Sequence, residues 1–181
     1  MRALFCDRDG TIMDDVPYLS DPAGVRLRPE AVEVMARARR AGWALVIVTN
    51  QSGVARGLIT PEQLDAVNAA VLRALAARGV VVDDLRWCPH GPDDGCRCRK
   101  PRPGLILDAA TGLGIDLVRS AVVGDAPRDA CAGVAAGVGL NWLLGPDDGT
   151  GQVPECDGGV VRVGSWSALA EEMGLSRQVA Q

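Results

Sequence analysis

Six short runs rich in Val, Leu, Ile and Ala recur along a chain of 181 residues, and the stretches between them carry helical periodicity. Alternation of this kind is the pattern of βαβ units, in which parallel strands are joined by crossover helices. "RALFC" (2–6), "ALVIV" (44–48), "LRWC" (85–88) and "SAVVG" (120–124) read as buried strands, and weaker ones fall near 138–144 and 159–163. "PEAVEVMARARRAG" (29–42) reads as a helix with Pro29 in its first turn and Gly42 at its stop. "TPEQLDAVNAAVLRALAARG" (60–79) is the clearest helix: Thr60 caps it with Gln63 three residues on, and Leu64, Val67, Val71 and Leu75 share one face. Further helices are expected at 103–112, 127–136 and 165–173, and a polar, turn-rich loop at 145–159. The fold class that follows is α/β.

With 48% apolar and 23% charged residues and a net charge of −4, the composition is that of an ordinary globule. It excludes the clustered basic face that nucleic acid or anionic lipid requires. No apolar run approaches the roughly 18 residues that would suggest a membrane span, and "MRALFCDRDG" has neither the apolar length nor the cleavage site of a secretory signal. The cytoplasm is the expected compartment, and one domain over 1–181 the expected organisation. Thiols stay reduced there, so Cys6, Cys131 and Cys156 read as small buried hydrophobes and clustered cysteines as metal ligands or catalytic groups. Of 19 basic residues a single one, Lys100, is lysine. A compact point charge at that position suggests a role that a flat guanidinium fork cannot fill.

In open parallel sheets, ligands bind beyond the carboxyl ends of the strands. After the first run comes "DRDGT" (7–11). Asp7 and Asp9 are close enough to repel unless a cation or proton intervenes, although a Ca²⁺-type loop or an Asx turn would use the same residues. "TNQSG" (49–53) follows the second run, a hydroxyl, an amide and a small-residue turn able to cradle an anion. "CPHGPDDGCRCRKP" (88–101) follows the third and ends on Lys100; "GDAPRD" (124–129) closes the fourth and offers Asp125.

Taken in order, "DRDGT", "TNQ", "CRKP" and "VGDxxxD" resemble the four motifs of the haloacid dehalogenase superfamily over nearly the whole chain. The Cys/His loop and "VTNQSGVARG" are similar to its cap-less, zinc-containing branch, which dephosphorylates D-glycero-D-manno-heptose 1,7-bisphosphate at C7 and has the histidinol-phosphate phosphatases as near relatives. The resemblance implies a Rossmann-like three-layer α/β/α sandwich with a mainly parallel sheet and no cap domain. It also implies a monomer acting on a phosphorylated small molecule, without nucleic acid or membrane partners.

It further implies Asp7 as nucleophile and Asp9 as acid and base. Mg²⁺ would be held by Asp7, the carbonyl of Asp9 and Asp125. Thr49 and the backbone of Asn50 would bind the transferring phosphoryl group, Lys100 would neutralise its charge and Asp129 would orient Lys100. Asp15, Val16, Pro17, Tyr18, Gln51, Ser52 and Arg99 would contact substrate. Cys88, His90, Cys96 and Cys98 form the Cys₃His set that structural Zn²⁺ accepts, with a disulfide loop as the alternative. Five residues separate His90 from Cys96, an interval of the histidinol-phosphate type, whereas "VTNQSGVARG" is of the heptose type. Ala126 stands where heptose enzymes often carry lysine, and Arg99, Arg56 or Arg128 could supply the missing cation.

Overall fold

A computed structural model describes residues 1–145, 156 and 159–175. Its strands are β1 (Ala3–Cys6), β2 (Ala44–Asn50), β3 (Asp84–Cys88), β4 (Ala121–Gly124), β5 (Leu140–Leu144) and β6 (Val160–Val163). Its helices are α1 (Pro29–Arg40), α2 (Pro61–Ala76), α3 (Gly104–Leu113), α4 (Pro127–Ala136) and α5 (Trp166–Glu172). All six expected strands and all five expected helices form. The Thr60 and Gln63 capping box closes the start of α2, each side chain accepting from the other's backbone N–H. The expected loop at 145–159 lies outside the described residues except for Gly145, Cys156 and Gly159.

The sheet order is β3-β2-β1-β4-β5-β6, and every neighbouring pair is parallel. The sheet is therefore wholly rather than mainly parallel. Alternate residues feed its two faces, as the two-residue period of a strand requires. Leu4, Cys6, Leu45 and Ile47 pack against α1, α2 and α5, while Ala3, Phe5, Val46 and Val48 pack against α3 and α4. The result is the three-layer Rossmann-like sandwich. Among the described residues no separate cap covers the strand ends.

Two expectations need correction. β3 is half-buried except at Cys88, because it forms an edge of the sheet and has a strand on one side only. Cys131 and Cys156 are half-buried and joined in a disulfide, not separate hydrophobes. Cys131 lies on α4 and Cys156 precedes β6; their Cα atoms are 5.5 Å apart, within bridging range. Cys6, by contrast, is fully buried as expected.

Candidate active site

Because the chain runs outward from β1 in both directions across the sheet, the carboxyl end of β1 lies at the topological switch point between β2 and β4. Asp7 leaves β1 there, its backbone N–H still donating to Val123 at 3.0 Å. Beyond it the chain turns sharply: the N–H groups of Ile12 and Met13 both donate to the carbonyl of Arg8, each at 3.1 Å. Gly10 has φ 77°, and the Asp125 carboxylate lies where a side chain at position 10 would project. Glycine thus lets the first and fourth strand ends meet.

Asp7, Lys100 and Asp129 form the floor. The Lys100 ammonium donates to the Asp7 carboxylate and, at 2.7 Å, to the Val48 carbonyl, and it lies 2.7 Å from the Asp129 carboxylate. All three side chains are buried. Burial pushes the Asp7 carboxyl up to about 7, opposed by Lys100 and reinforced by Asp129 and Asp9. Burial alone would lower the Lys100 pKa, but the Asp129 and Asp7 carboxylates outweigh it and hold the ammonium above its ordinary range. Asp129 also accepts from the Ala126 N–H at 3.1 Å, which fixes it in the first turn of α4. The Asp125 carboxyl is raised by burial and then by Asp129; Thr11 donates to it at 3.0 Å and accepts from the Asp125 N–H at 3.0 Å. Carboxylate oxygens of Asp7, Asp125 and Asp129 all fall within 4.8 Å of one another.

Asp9 turns away from this group. Its carboxylate accepts from Arg8 Nε at 3.2 Å and from Gln51 Nε2 at 2.7 Å, and Thr49 Oγ1 lies 3.4 Å from it. The Asn50 side chain clamps the backbone of Lys100: its Oδ1 accepts from the Lys100 N–H at 3.0 Å and its Nδ2 donates to the Lys100 carbonyl at 3.1 Å.

The loop leading to Lys100 folds its four expected ligands together. Cys88 Sγ lies 3.5 Å from His90 Nδ1, 3.7 Å from Cys96 Sγ and 3.1 Å from Cys98 Sγ, and His90 Nδ1 is 3.2 Å from Cys98 Sγ. None of the three loop cysteines is in a disulfide. Burial pushes the Cys88 thiol up. At Cys96 burial raises the thiol, but the backbone N–H of Arg99 and the Cys98 and Cys88 sulfurs together outweigh it and bring the thiol down to about 7.

Above the floor opens a cavity of about 310 Å³. Asp7, Asp9, Asp15, Val16, Pro17, Tyr18, Thr49, Asn50, Gln51, Ser52 and Asp125 line it, together with Arg8, Gly53 and Arg128. Arg99 does not line it; its guanidinium donates to the His90 carbonyl at 3.0 Å and braces the Cys/His loop. Lys100 is not on the wall either, lying under Asp7 at 2% exposure. Of the three arginines considered for the distal cation, Arg56 donates to the Tyr18 hydroxyl at 3.2 Å, while Arg128 lines the cavity directly. Arg8, whose guanidinium donates to Asn68 on α2 at 2.6 Å, was not among the expected site residues. The available signal was the one polar residue on the buried face of α2.

Residues 18–137 match the family model of haloacid dehalogenase-like hydrolases. The chain belongs to this family. The chain is 40% identical over 161 residues to the D-glycero-β-D-manno-heptose-1,7-bisphosphate 7-phosphatase of Bordetella bronchiseptica, covering 88% of each protein. It is 40% identical over 149 residues to the enzyme of the same name from Escherichia coli K12, covering 78% of each. The fold matches the crystal structure of the B. bronchiseptica D,D-heptose 1,7-bisphosphate phosphatase complexed with magnesium and phosphate, with TM-score 0.83, 38% identity and coverage of 96% of this chain and 98% of that one.

Proposed function

We propose that this chain is a Mg²⁺-dependent phosphomonoester hydrolase that works through a phosphorylated Asp7 and removes the C7 phosphate of D-glycero-D-manno-heptose 1,7-bisphosphate. The observation that carries the reading is the buried Asp7, Lys100 and Asp129 group, with Asp125 beside it, at the switch point of the fold that the B. bronchiseptica phosphatase shares.

The donor set fits Mg²⁺: oxygen atoms only, two carboxylates on neighbouring strand ends, and an open cavity for water and a phosphate oxygen. Asp7, the Asp9 carbonyl and Asp125 would hold the ion, which when bound neutralises charge on Asp7 and polarises the phosphoryl group. Asp7 attacks phosphorus in line and becomes the phosphoaspartate, splitting one hard displacement into two. Asp9 gives a proton to the departing sugar oxygen, then takes one from the water that hydrolyses the phosphoaspartate. Thr49 and the backbone at Asn50 cradle the phosphoryl group. Lys100 acts from beneath, balancing the charge of Asp7 and Asp129 as the phosphoryl group arrives.

Asp15 to Tyr18, Gln51 and Ser52 form walls for the sugar. Arg128, which lines the cavity, would meet the second phosphate. The loop sulfurs and His90 Nδ1, 3.1 to 3.7 Å apart, approach the edge of about 3.8 Å that tetrahedral zinc with 2.3 Å Zn–S bonds would impose. A Cys₃His zinc there would be structural, tying residues 88–98 into the single domain. The phosphorylated sugar is the partner proposed for this site in the cytoplasm.

Comparing kcat/KM on both anomers of heptose 1,7-bisphosphate and on histidinol phosphate tests the reading. A preference for the bisphosphate of at least about tenfold is expected, the weight of one charge-assisted contact to the second phosphate. A preference for histidinol phosphate would overturn the substrate assignment.

A further inference from the structure

Arg8 is 1% exposed, unusual for arginine unless its charge and donors are matched. They are matched on two sides. One edge of the guanidinium meets the next residue: Nε lies 3.2 Å from both Asp9 carboxylate oxygens, and Nη2 lies 3.1 Å from Oδ1 and 3.0 Å from Oδ2. The other edge reaches 60 residues along the chain, where Nη1 donates to Asn68 Oδ1 at 2.6 Å. Asn68 is 5% exposed on α2, among Leu64, Val67, Val71 and Leu75.

A polar amide on the core face of a helix costs stability unless it is hydrogen-bonded, and Arg8 supplies that bond to the Asn68 oxygen, while the Asn68 nitrogen is buried without a partner among the described residues. Adjacent residues of a straight strand point to opposite faces. The turn that brings Ile12 and Met13 back to the Arg8 carbonyl is what lets Arg8 reach the side chain of Asp9. Gln51 Nε2 also donates to Asp9 Oδ2, at 2.7 Å, and the same nitrogen lies 2.9 Å from Thr49 Oγ1.

From this arrangement we infer that Arg8, anchored by Asn68, is a positioning residue that fixes the Asp9 carboxylate over the cavity for proton transfer to the leaving oxygen. The inference rests on the acid role of Asp9 proposed above. What the anchor supplies is place: a guanidinium pinned to a helix of the sandwich gives Asp9 one orientation, whereas an untethered Asp at a loop would sample several rotamers. Misplacement by about 1 Å can cost as much as 100-fold when a catalytic group must meet its partner in line.

The test compares a substrate that needs a proton on its leaving group with one that does not. From the sugar phosphate the departing group is a sugar oxygen that, unprotonated, would be an unstable alkoxide; from p-nitrophenyl phosphate it is a stabilised phenolate. Because kcat/KM reports events up to release of the leaving group, it isolates the step in which Asp9 acts as acid. Asn68→Ala, outside the cavity, should lower kcat/KM on heptose 1,7-bisphosphate by about 10-fold or more while changing that on p-nitrophenyl phosphate by no more than about threefold. Arg8→Lys, which keeps the charge but loses the planar two-sided grip, should show the same bias and serves the test if Asn68→Ala does not fold.

Equal losses on the two substrates, or no loss on either, would overturn the inference. Asp9→Asn measured alongside separates the two claims. If it loses both substrates equally, the acid role itself falls and the inference with it. If it is biased against the sugar phosphate and the Asn68 and Arg8 variants are not, the anchor alone is refuted.

Discussion

Lys100 is buried between two carboxylates, and its removal has a calculable consequence. Lys100→Met leaves Asp7 and Asp129 facing each other without their cation, the kind of change that costs about 3–5 kcal/mol. The sign of the pH dependence follows from burial. Asp7 already holds its proton up to about 7 in the folded chain, above its value when unfolded, so this group lowers stability as pH rises through that window. Without Lys100, which opposes that rise, Asp7 is raised further. In metal-free buffer the urea-unfolding deficit of Lys100→Met should therefore be large near about pH 8 and shrink toward about pH 5; a deficit independent of pH would contradict the burial account. Arg128→Ala makes a second residue-scale test. It should raise KM for the bisphosphate by about 10-fold or more, the usual weight of one charge-assisted contact, with little change for a substrate lacking the second phosphate. Most of these residues were legible in the chain, because an acid, hydroxyl or lysine placed just after a buried run has only the strand end to occupy. Arg8 and Arg99 were not. Which way an arginine turns depends on partners such as Asn68 and His90 that no local pattern names.

Among the elements, α2 was fully readable: its cap, its length and its apolar face are all local properties of the sequence. β3 was recognisable as a strand but not as an edge, since neighbours in a sheet are set by topology rather than by the strand's own residues. The Cys131–Cys156 bond was misread for a related reason. The partners are 25 residues apart, and an argument from compartment alone cannot see that α4 and the approach to β6 bring them together. The Cys/His loop is the element on which the site most depends, because Cys98 lies two residues before Lys100, and Asn50 holds the Lys100 backbone from β2. Purified protein should contain about one zinc per chain, as four ligands for one tetrahedral ion require. Stripping it with a chelator that leaves Mg²⁺ replenished should lower kcat by about 10-fold or more through displacement of Lys100. Full activity in zinc-free protein would show that the loop holds its shape unaided.

At the scale of the molecule, the alternation of apolar and helical segments determined the class, and the parallel sheet with β1 at its centre converts that class into a site. Residues from four strand ends, distant in sequence, meet because each βα connection emerges on the same edge. The topology was accessible only through the order of the motifs; composition and periodicity do not distinguish one strand order from another. The proposed reaction depends on Asp7 as the nucleophile that attacks phosphorus. Its most direct test is to mix enzyme, Mg²⁺ and heptose 1,7-bisphosphate, quench with acid within one turnover, and locate any covalent phosphate by peptide mass analysis. The prediction is one phosphoryl group on the peptide containing Asp7, absent in Asp7→Asn, which should also lose phosphate release. Phosphate release at an undiminished rate from Asp7→Asn, or a phosphoryl group on any other residue, would contradict it.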